Sequence, residues 1–239
     1  MAKAPLVGLV KTRLVPPLTD EEAASLSSCF LRDTANHIAG IGARIGADGV
    51  VVYAPPKAAA AFHDLLPKDF QLLAQRGESL GDRLCNATED LLRSGYDAVC
   101  LVNSDSPTLP QAVYEAAIQS LSRAGDRVVL GAADDGGYYL IGLKRVHSSL
   151  FDRIAWSTAD VLAHTVERAA EIGLQVEVLP RWYDVDDAET LGRLCEELFA
   201  PQRHDGAYAA RHTRDFLAAL IEAEGTQRIC PRLSERMSA

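Results

Sequence analysis

Residues 98–107 read Ala98-Val99-Cys100-Leu101-Val102-Asn103-Ser104-Asp105-Ser106-Pro107, an apolar run that stops abruptly in polar residues. An uninterrupted apolar run of this length is what a buried strand of an α/β sheet presents, since such a strand meets packed side chains on both faces. Its polar end puts Asp105 at the carboxyl edge of the sheet, the edge along which ligands of open α/β sheets bind. Pro107 disfavours a helical Ser106 and so holds the loop in an extended shape.

Further short β-branched runs lie at 49–53, 127–130, 138–142 and 175–179, separated by stretches of helical period. A helix is expected over 19–37, with Thr19 and Glu22 forming a capping box ahead of apolar Ala23, Leu26, Phe30 and Leu31. Residues 80–93 put Leu80, Leu84, Ala87 and Leu91 on one face; 110–121 opens with Pro110, and 158–172 with Thr158 as N-cap. Alternating strands and crossover helices predict an α/β fold with a mostly parallel central sheet.

A helix over 186–199 is followed by a Pro/Gly/polar break at 200–206 and an amphipathic stretch at 211–224. The chain therefore divides into one domain, 1–199, and a C-terminal helical extension and tail, 200–239. The polar residues 226–239 show no period and are expected to be loosely held. The opening strand is unusual. The first motif starts at Lys3 with only Met1 and Ala2 before it, so either that strand is very short and includes residues 2–4, or the chain begins later than the ancestral domain did.

The chain has 239 residues, 48% hydrophobic and 6% aromatic, enough aliphatic material for a sizeable core. A net charge of -9 with no basic run argues against nucleic acid, so phosphates must be met by a few local cations and backbone amides. The five cysteines form no C-x-x-C pair, which predicts reduced thiols and neither a disulfide framework nor a zinc site. No apolar stretch approaches the roughly 20 residues of a membrane span, and residues 1–5 lack a signal-peptide layout, so a cytoplasmic location is expected. The six histidines show no metal spacing, and neither G-x-S-x-G nor a Walker A loop occurs.

Four clusters carry candidate chemistry. Residues 3–14 place Lys3, Lys11 and Arg13 with Gly8 in a loop; if that loop is extended, Lys11 and Arg13 point the same way and can clamp one oligophosphate, or else the loop is simply solvated and basic. At the strand end, beside Ser104, the Asp105 carboxylate suits a hard divalent cation that in turn meets phosphate oxygens, although an Asx or Ser turn would use the same residues. Asp135, with Gly136 and Gly137, fits either an acceptor-side carboxylate or an Asp-Gly hairpin turn. Asp184 and Asp186 lie on one side of an extended segment and can complete a metal site with Asp105; Asp186 with Glu189 can equally cap a helix.

These stretches together resemble the glycosyltransferase-like, radical-SAM/selenodomain-associated transferases of the nucleotide-diphospho-sugar transferase superfamily, a group related to the guanylyltransferase of deazaflavin cofactor synthesis. The resemblance covers residues 2–199. It runs through Ala2-Lys3-Ala4-Pro5, Gly8, Lys11-Thr12-Arg13-Leu14, Gln75-x-Gly77, Leu80-Gly81-x-Arg83-Leu84 and Ser104-Asp105-Ser106-Pro107. It continues through 135–143, Trp156-Ser157-Thr158 and Asp184-Val185-Asp186.

What the resemblance implies is a Rossmann-like GT-A domain, three layers α/β/α, with Mg²⁺ or Mn²⁺ bridging Asp105 and the ligand's diphosphate. Lys11 and Arg13 would be the phosphate clamp, and Asp184 or Asp186 the second acidic ligand. Gln75, Gly77 and Gly81 would face the base or sugar, and Asp135 the acceptor. Three functions then compete. One is glycosyl transfer from a nucleotide sugar to a small-molecule acceptor; another is nucleotidyl transfer from an NTP to a phosphorylated acceptor with release of pyrophosphate; the third is nucleotide binding without turnover.

Overall fold

The computed structural model describes residues 1–199 and 206–231. Strands β1 (Ala2–Lys3), β2 (Val50–Ala54) and β3 (Gln71–Ala74) form a parallel sheet in that order. A second sheet, ordered β4-β6-β5-β7, contains β4 (Val99–Val102), β5 (Arg127–Ala133), β6 (Tyr138–Leu143) and β7 (Gln175–Trp182). Within it β6 alone runs against its neighbours, and β5 and β7 are parallel. The Met1 ammonium donates to the Val102 carbonyl at 2.8 Å and sets β1 beside β4. Across the molecule the strands therefore follow the order β3-β2-β1-β4-β6-β5-β7. β1 is the very short strand that the sequence allows, and an apolar cavity of about 650 Å³, lined by Val50, Val52, Val99 and Leu101, opens between β2 and β4 beyond it.

Three layers follow from the two-residue period of the strands. Val99 and Leu101 of β4, Val128 and Leu130 of β5, and Ile141 and Leu143 of β6 pack with Leu84, Ala87 and Leu91 of α2 (Leu80–Arg93) and Ala169 of α4 (Val161–Glu171). The alternate residues Val102, Val129 and Leu140 pack on the other face, with Ile41 of α1 (Asp20–Ile45) and Val113, Ala117 and Leu121 of α3 (Gln111–Ser122). Every residue of β5 is buried. Each such aliphatic side chain contributes about 1.5–3 kcal/mol of transfer free energy.

The capping box at Thr19 forms, with the Glu22 amide on Thr19 Oγ1 at 3.2 Å and the Thr19 amide on Glu22 Oε2 at 2.7 Å. α1 continues past the expected end at 37, because Ile38 and Ile41 pack against the sheet and outweigh the helix-weakening Gly40 and Gly42. It stops at Gly46, in the left-handed region at φ 72°. The helix expected from 158 starts instead at Val161: the Thr158 hydroxyl donates to Ala155 O (2.7 Å) and accepts from Asp160 N (3.3 Å), closing a turn ahead of α4. β3 was not expected, its Leu72 and Leu73 being unbranched at Cβ.

The C-terminal helices α6 (Arg211–Glu224) and α7 (Thr226–Ile229) share a core with the rest of the chain. Leu217, Ile229 and Cys230 pack with Leu14, Phe30, Tyr183 and Leu191, the last from α5 (Ala188–Phe199). Two expectations are corrected here. Residues 226–230 are not loose, since Ile229 and Cys230 are buried and Arg228 grips both carboxylate oxygens of Glu22 at 3.0 and 2.6 Å. Nor are all thiols reduced: Cys195 on α5 is bonded to Cys230, while Cys29, Cys85 and Cys100 are free. Spacing cannot reveal a pair 35 residues apart that meets only when α7 packs on α5. The rest of the expected break, 200–205, and of the tail, 232–239, lies outside the described residues.

α6 begins after Ala210, which has no side chain able to cap it. The buried Asp33 of α1 supplies the acceptors, taking the His212 amide at 3.0 Å and the Thr213 amide at 2.8 Å. Asp33→Ala leaves both amides without that partner and is expected to cost about 2–3 kcal/mol. Urea denaturation with an unchanged m-value checks this; a loss under about 0.5 kcal/mol would mean that α6 is held by packing alone.

Candidate active site

The loops that carry the candidate residues leave the carboxyl ends of β1, β3, β4, β5 and β7. After β1 the chain passes an apolar tip, with Leu6, Val7 and Leu9 exposed, and reaches Lys11. The segment is not extended, as the clamp argument assumed: Lys11 is left-handed at φ 50°, and Thr12–Leu14 form a 3₁₀ turn anchored by fully buried Leu14. The two cations nevertheless reach one carboxylate. Lys11 Nζ lies 2.6 Å from Asp105 Oδ1, 3.0 Å from Asp186 Oδ1 and 2.8 Å from the Val185 carbonyl. Arg13 Nη2 lies 2.7 Å from Asp186 Oδ2.

Exposure separates the two cations. The Lys11 side chain is 6% exposed and that of Arg13 70%. The Arg13–Asp186 pair is therefore worth at most about 1 kcal/mol, whereas removing one partner from the Lys11 cluster strands a poorly solvated charge. Burial alone would pull the Lys11 ammonium down, but the charges and hydrogen bonds of Asp105 and Asp186 outweigh it and hold its pKa above the ordinary value.

A backbone bond from Val185 N to Asp105 O, 2.9 Å, ties the loop after β7 to the loop after β4. Asp184 turns into that junction, where its Oδ1 accepts from Ser106 Oγ (2.6 Å) and Asn103 Nδ2 (2.7 Å). Burial pushes its carboxyl up to about 6; the charges of Asp105 and Asp135 push the same way, against the two hydrogen bonds. Asp186 is no helix cap. That part belongs to Asp187, whose Oδ1 accepts the Thr190 amide at 2.9 Å, which leaves Asp186 to the cations.

A neighbouring cleft of about 480 Å³ is lined by Lys3, Pro55, Gln75, Gly77 and Arg83. Gln75 is not free within it, because its amide donates to Val52 O at 2.9 Å and Ala2 O at 3.4 Å and so braces β1 against β2. Gly77 sits at φ 114°, a backbone that only glycine adopts without strain. Gly81 lies outside the cleft lining: a Cβ there would come 3.0 Å from the Trp156 ring, so glycine lets that loop pack on α2. Gly8, at φ 71°, shapes the loop before Lys11. Asp135 lies exposed in the β5–β6 hairpin turn, with its Oδ1 accepting from Gly137 N at 2.9 Å, as the hairpin reading has it. Ser104 lies in the Asp105 loop, but Ser106 is the serine that holds Asp184.

Asn103, Ser106 and the Val185 carbonyl had not been singled out. The first two had a signal, since polar residues flanking a strand-end aspartate are ready donors for an inward carboxylate. The third is a backbone atom, which no residue type announces. As a cation seat, the oxygens of Asp105, Asp186 and Val185 are hard donors of the kind Mg²⁺ or Mn²⁺ prefers, and two carboxylates suffice where substrate phosphates supply further ligands. Among the described residues no three acidic, His or Cys side chains gather as a preformed cage, and Asp184 faces Ser106 and Asn103 instead.

The family model described as an uncharacterized protein conserved in bacteria (DUF2064) matches residues 38–158, a range that holds Gln75, Asp105 and Asp135. A protein of solved structure from Desulfovibrio desulfuricans G20, provisionally assigned as a nucleotide-diphospho-sugar transferase, is 32% identical. The match covers 95% of each chain at a TM-score of 0.79. A CMP:2-keto-3-deoxy-manno-octonic acid synthetase solved with CTP is 13% identical, covering 67% of this chain and 85% of its own, but at a TM-score of 0.46 it carries no argument. No curated protein matches. With half its length matched by the family model and nearly all of it shared with the D. desulfuricans protein, the chain belongs to the DUF2064 family and has the α/β GT-A fold of the nucleotide-diphospho-sugar transferases.

Proposed function

We propose that this protein is a divalent-cation-dependent transferase that moves a glycosyl group from a nucleotide sugar to a small-molecule acceptor. The observation that carries the reading is the convergence of Lys11, Arg13, Asp105 and Asp186 at the carboxyl ends of β1, β4 and β7. The likeness to the D. desulfuricans protein and the motif resemblance to radical-SAM-associated transferases support it. In this reading the acceptor hydroxyl gives its proton to Asp135 as its oxygen attacks the anomeric carbon, the bond from that carbon to the diphosphate oxygen breaks, and the nucleoside diphosphate leaves. Asp105 and Asp186 would hold Mg²⁺ or Mn²⁺, which would supply charge neutralisation of that diphosphate. Arg13, the exposed cation, meets the leaving charge; the cleft of Lys3, Gln75 and Gly77 receives the nucleoside; Asp135 serves the acceptor side.

Nucleotidyl transfer from an NTP, with pyrophosphate as leaving group, is the second reading. The pairing of two cations on one carboxylate favours it, because pyrophosphate carries more charge to neutralise.

Incubation with nucleotide sugars or NTPs and Mg²⁺ or Mn²⁺ tests both. Nucleoside diphosphate released from a nucleotide sugar is the expected product, pyrophosphate from an NTP establishes the second reading, and saturable binding without either product leaves a binding module. Asp105→Asn is expected to lower turnover by about 100-fold or more with the fold intact, the size of effect seen when one electrostatic contact to a transition state is lost. A near-normal rate would remove Asp105 from the mechanism.

Asp184 acts from behind, by holding Ser106 and Asn103 in place. Its pKa of about 6 lies above that of an unfolded aspartate, so its contribution to stability is complete below about pH 4 and is lost as pH rises through 6. Asp184→Asn keeps the acceptor oxygen without the charge, and its Tm should rise relative to wild type between pH 4 and 7, by up to about 3 kcal/mol in stability. Parallel Tm-against-pH curves for the two proteins would refute the raised pKa.

A further inference from the structure

We infer that Lys11 is a tethered cation occupying the metal seat of the unliganded protein, so that a divalent ion can bind only by displacing it. The inference rests on the reading that Asp105 and Asp186 take such an ion. A phosphate-binding lysine would present its ammonium to solvent. The Lys11 side chain instead is 6% exposed, and its ammonium is ringed by Asp105 Oδ1, Asp186 Oδ1 and Val185 O at 2.6–3.0 Å. Those three oxygens are the hard donors that the seat has to offer, and a Mg²⁺ or Mn²⁺ ion would need them at closer range. Two cations sharing the same carboxylate oxygens would repel strongly in a partly buried site.

Turning Asp186 to offer its other oxygen does not remove the conflict, because that would break the pair of Oδ2 with Arg13 and leave Lys11 still on Asp105 Oδ1. A metal ion arriving alone must therefore leave the Lys11 ammonium in a poorly solvated place with no anionic partner, only the face of the Phe30 ring 5.5 Å away. An ion arriving with a diphosphate brings a new anionic partner for Lys11 at the same moment. The lysine thus couples metal binding to diphosphate binding: the unliganded protein takes the ion weakly, and the pair of ligands binds cooperatively.

The test is Mn²⁺ alone, titrated into nucleotide-free protein and followed by the loss of the free Mn²⁺ EPR signal. Lys11→Met removes the ammonium at similar length. It is expected to bind Mn²⁺ at least about tenfold tighter than wild type, as the removal of a like charge within a few ångströms predicts. Lys11→Gln, which keeps a hydrogen-bond donor without the charge, should tighten binding too, and it carries the measurement if Lys11→Met does not fold. Equal or weaker Mn²⁺ affinity in these variants, with wild-type binding that Asp105→Asn abolishes, overturns the inference and leaves the metal reading standing. No Mn²⁺ binding by wild type or by either variant overturns both.

Discussion

Three loops leaving three different strands meet on one ammonium. Lys11 comes from the segment after β1, Asp105 from the loop after β4, and Asp186 from the loop after β7, and the backbone bond from Val185 to Asp105 locks the last two together. Neither carboxylate would sit this close to the other without the cation between them. The lysine in turn would not be drawn inward without two carboxylates and a carbonyl to replace its water. The order β1-β4 across the sheet, with β7 reached through β6 and β5, brings these loops to one edge.

The rest of the architecture braces that edge. Buried Leu14 fixes the turn just after Lys11, in a core that includes Phe30 of α1, Tyr183 and Val185. The same core takes Leu217 of α6 and Ile229 of α7, so the C-terminal helices steady the Lys11 loop although they are far from it in sequence. The chain's overall charge of -9 sharpens the point. A net negative chain repels anions in general, and on the proposed reading a phosphate ligand would find its cations, Lys11 and Arg13, beside Asp105 and Asp186, where charge is already paired.

Much of this was legible in the residues alone. The apolar run ending in Asn103-Ser104-Asp105, the capping box at Thr19 and the face of α2 are local signals, and each appears where the pattern puts it, except that Leu80, at the first position of α2, is exposed. The grouping of Lys11, Arg13, Asp105 and Asp186 could be anticipated from strand-end placement, but its form could not. The clamp argument was conditional on an extended loop at Lys11, where a left-handed residue and a 3₁₀ turn occur instead, because backbone reversal there depends on Leu14 finding the core. Asp184 and Asp186 looked equivalent in sequence. They part because one turns toward Ser106 and Asn103 and the other toward the cations, a difference of tertiary surroundings with no local signal. Gly81 was read as a ligand contact, but the need it meets is room for Trp156.

The Cys195–Cys230 bond closes a covalent ring that contains the whole of α6. While that bond is intact, cleavage of the backbone at any one place inside the ring produces two fragments but only one particle. Leu217 stays seated, and Asp33 keeps its grip on the amides at the start of the helix. The two fragments would separate on a denaturing gel only after a thiol is added.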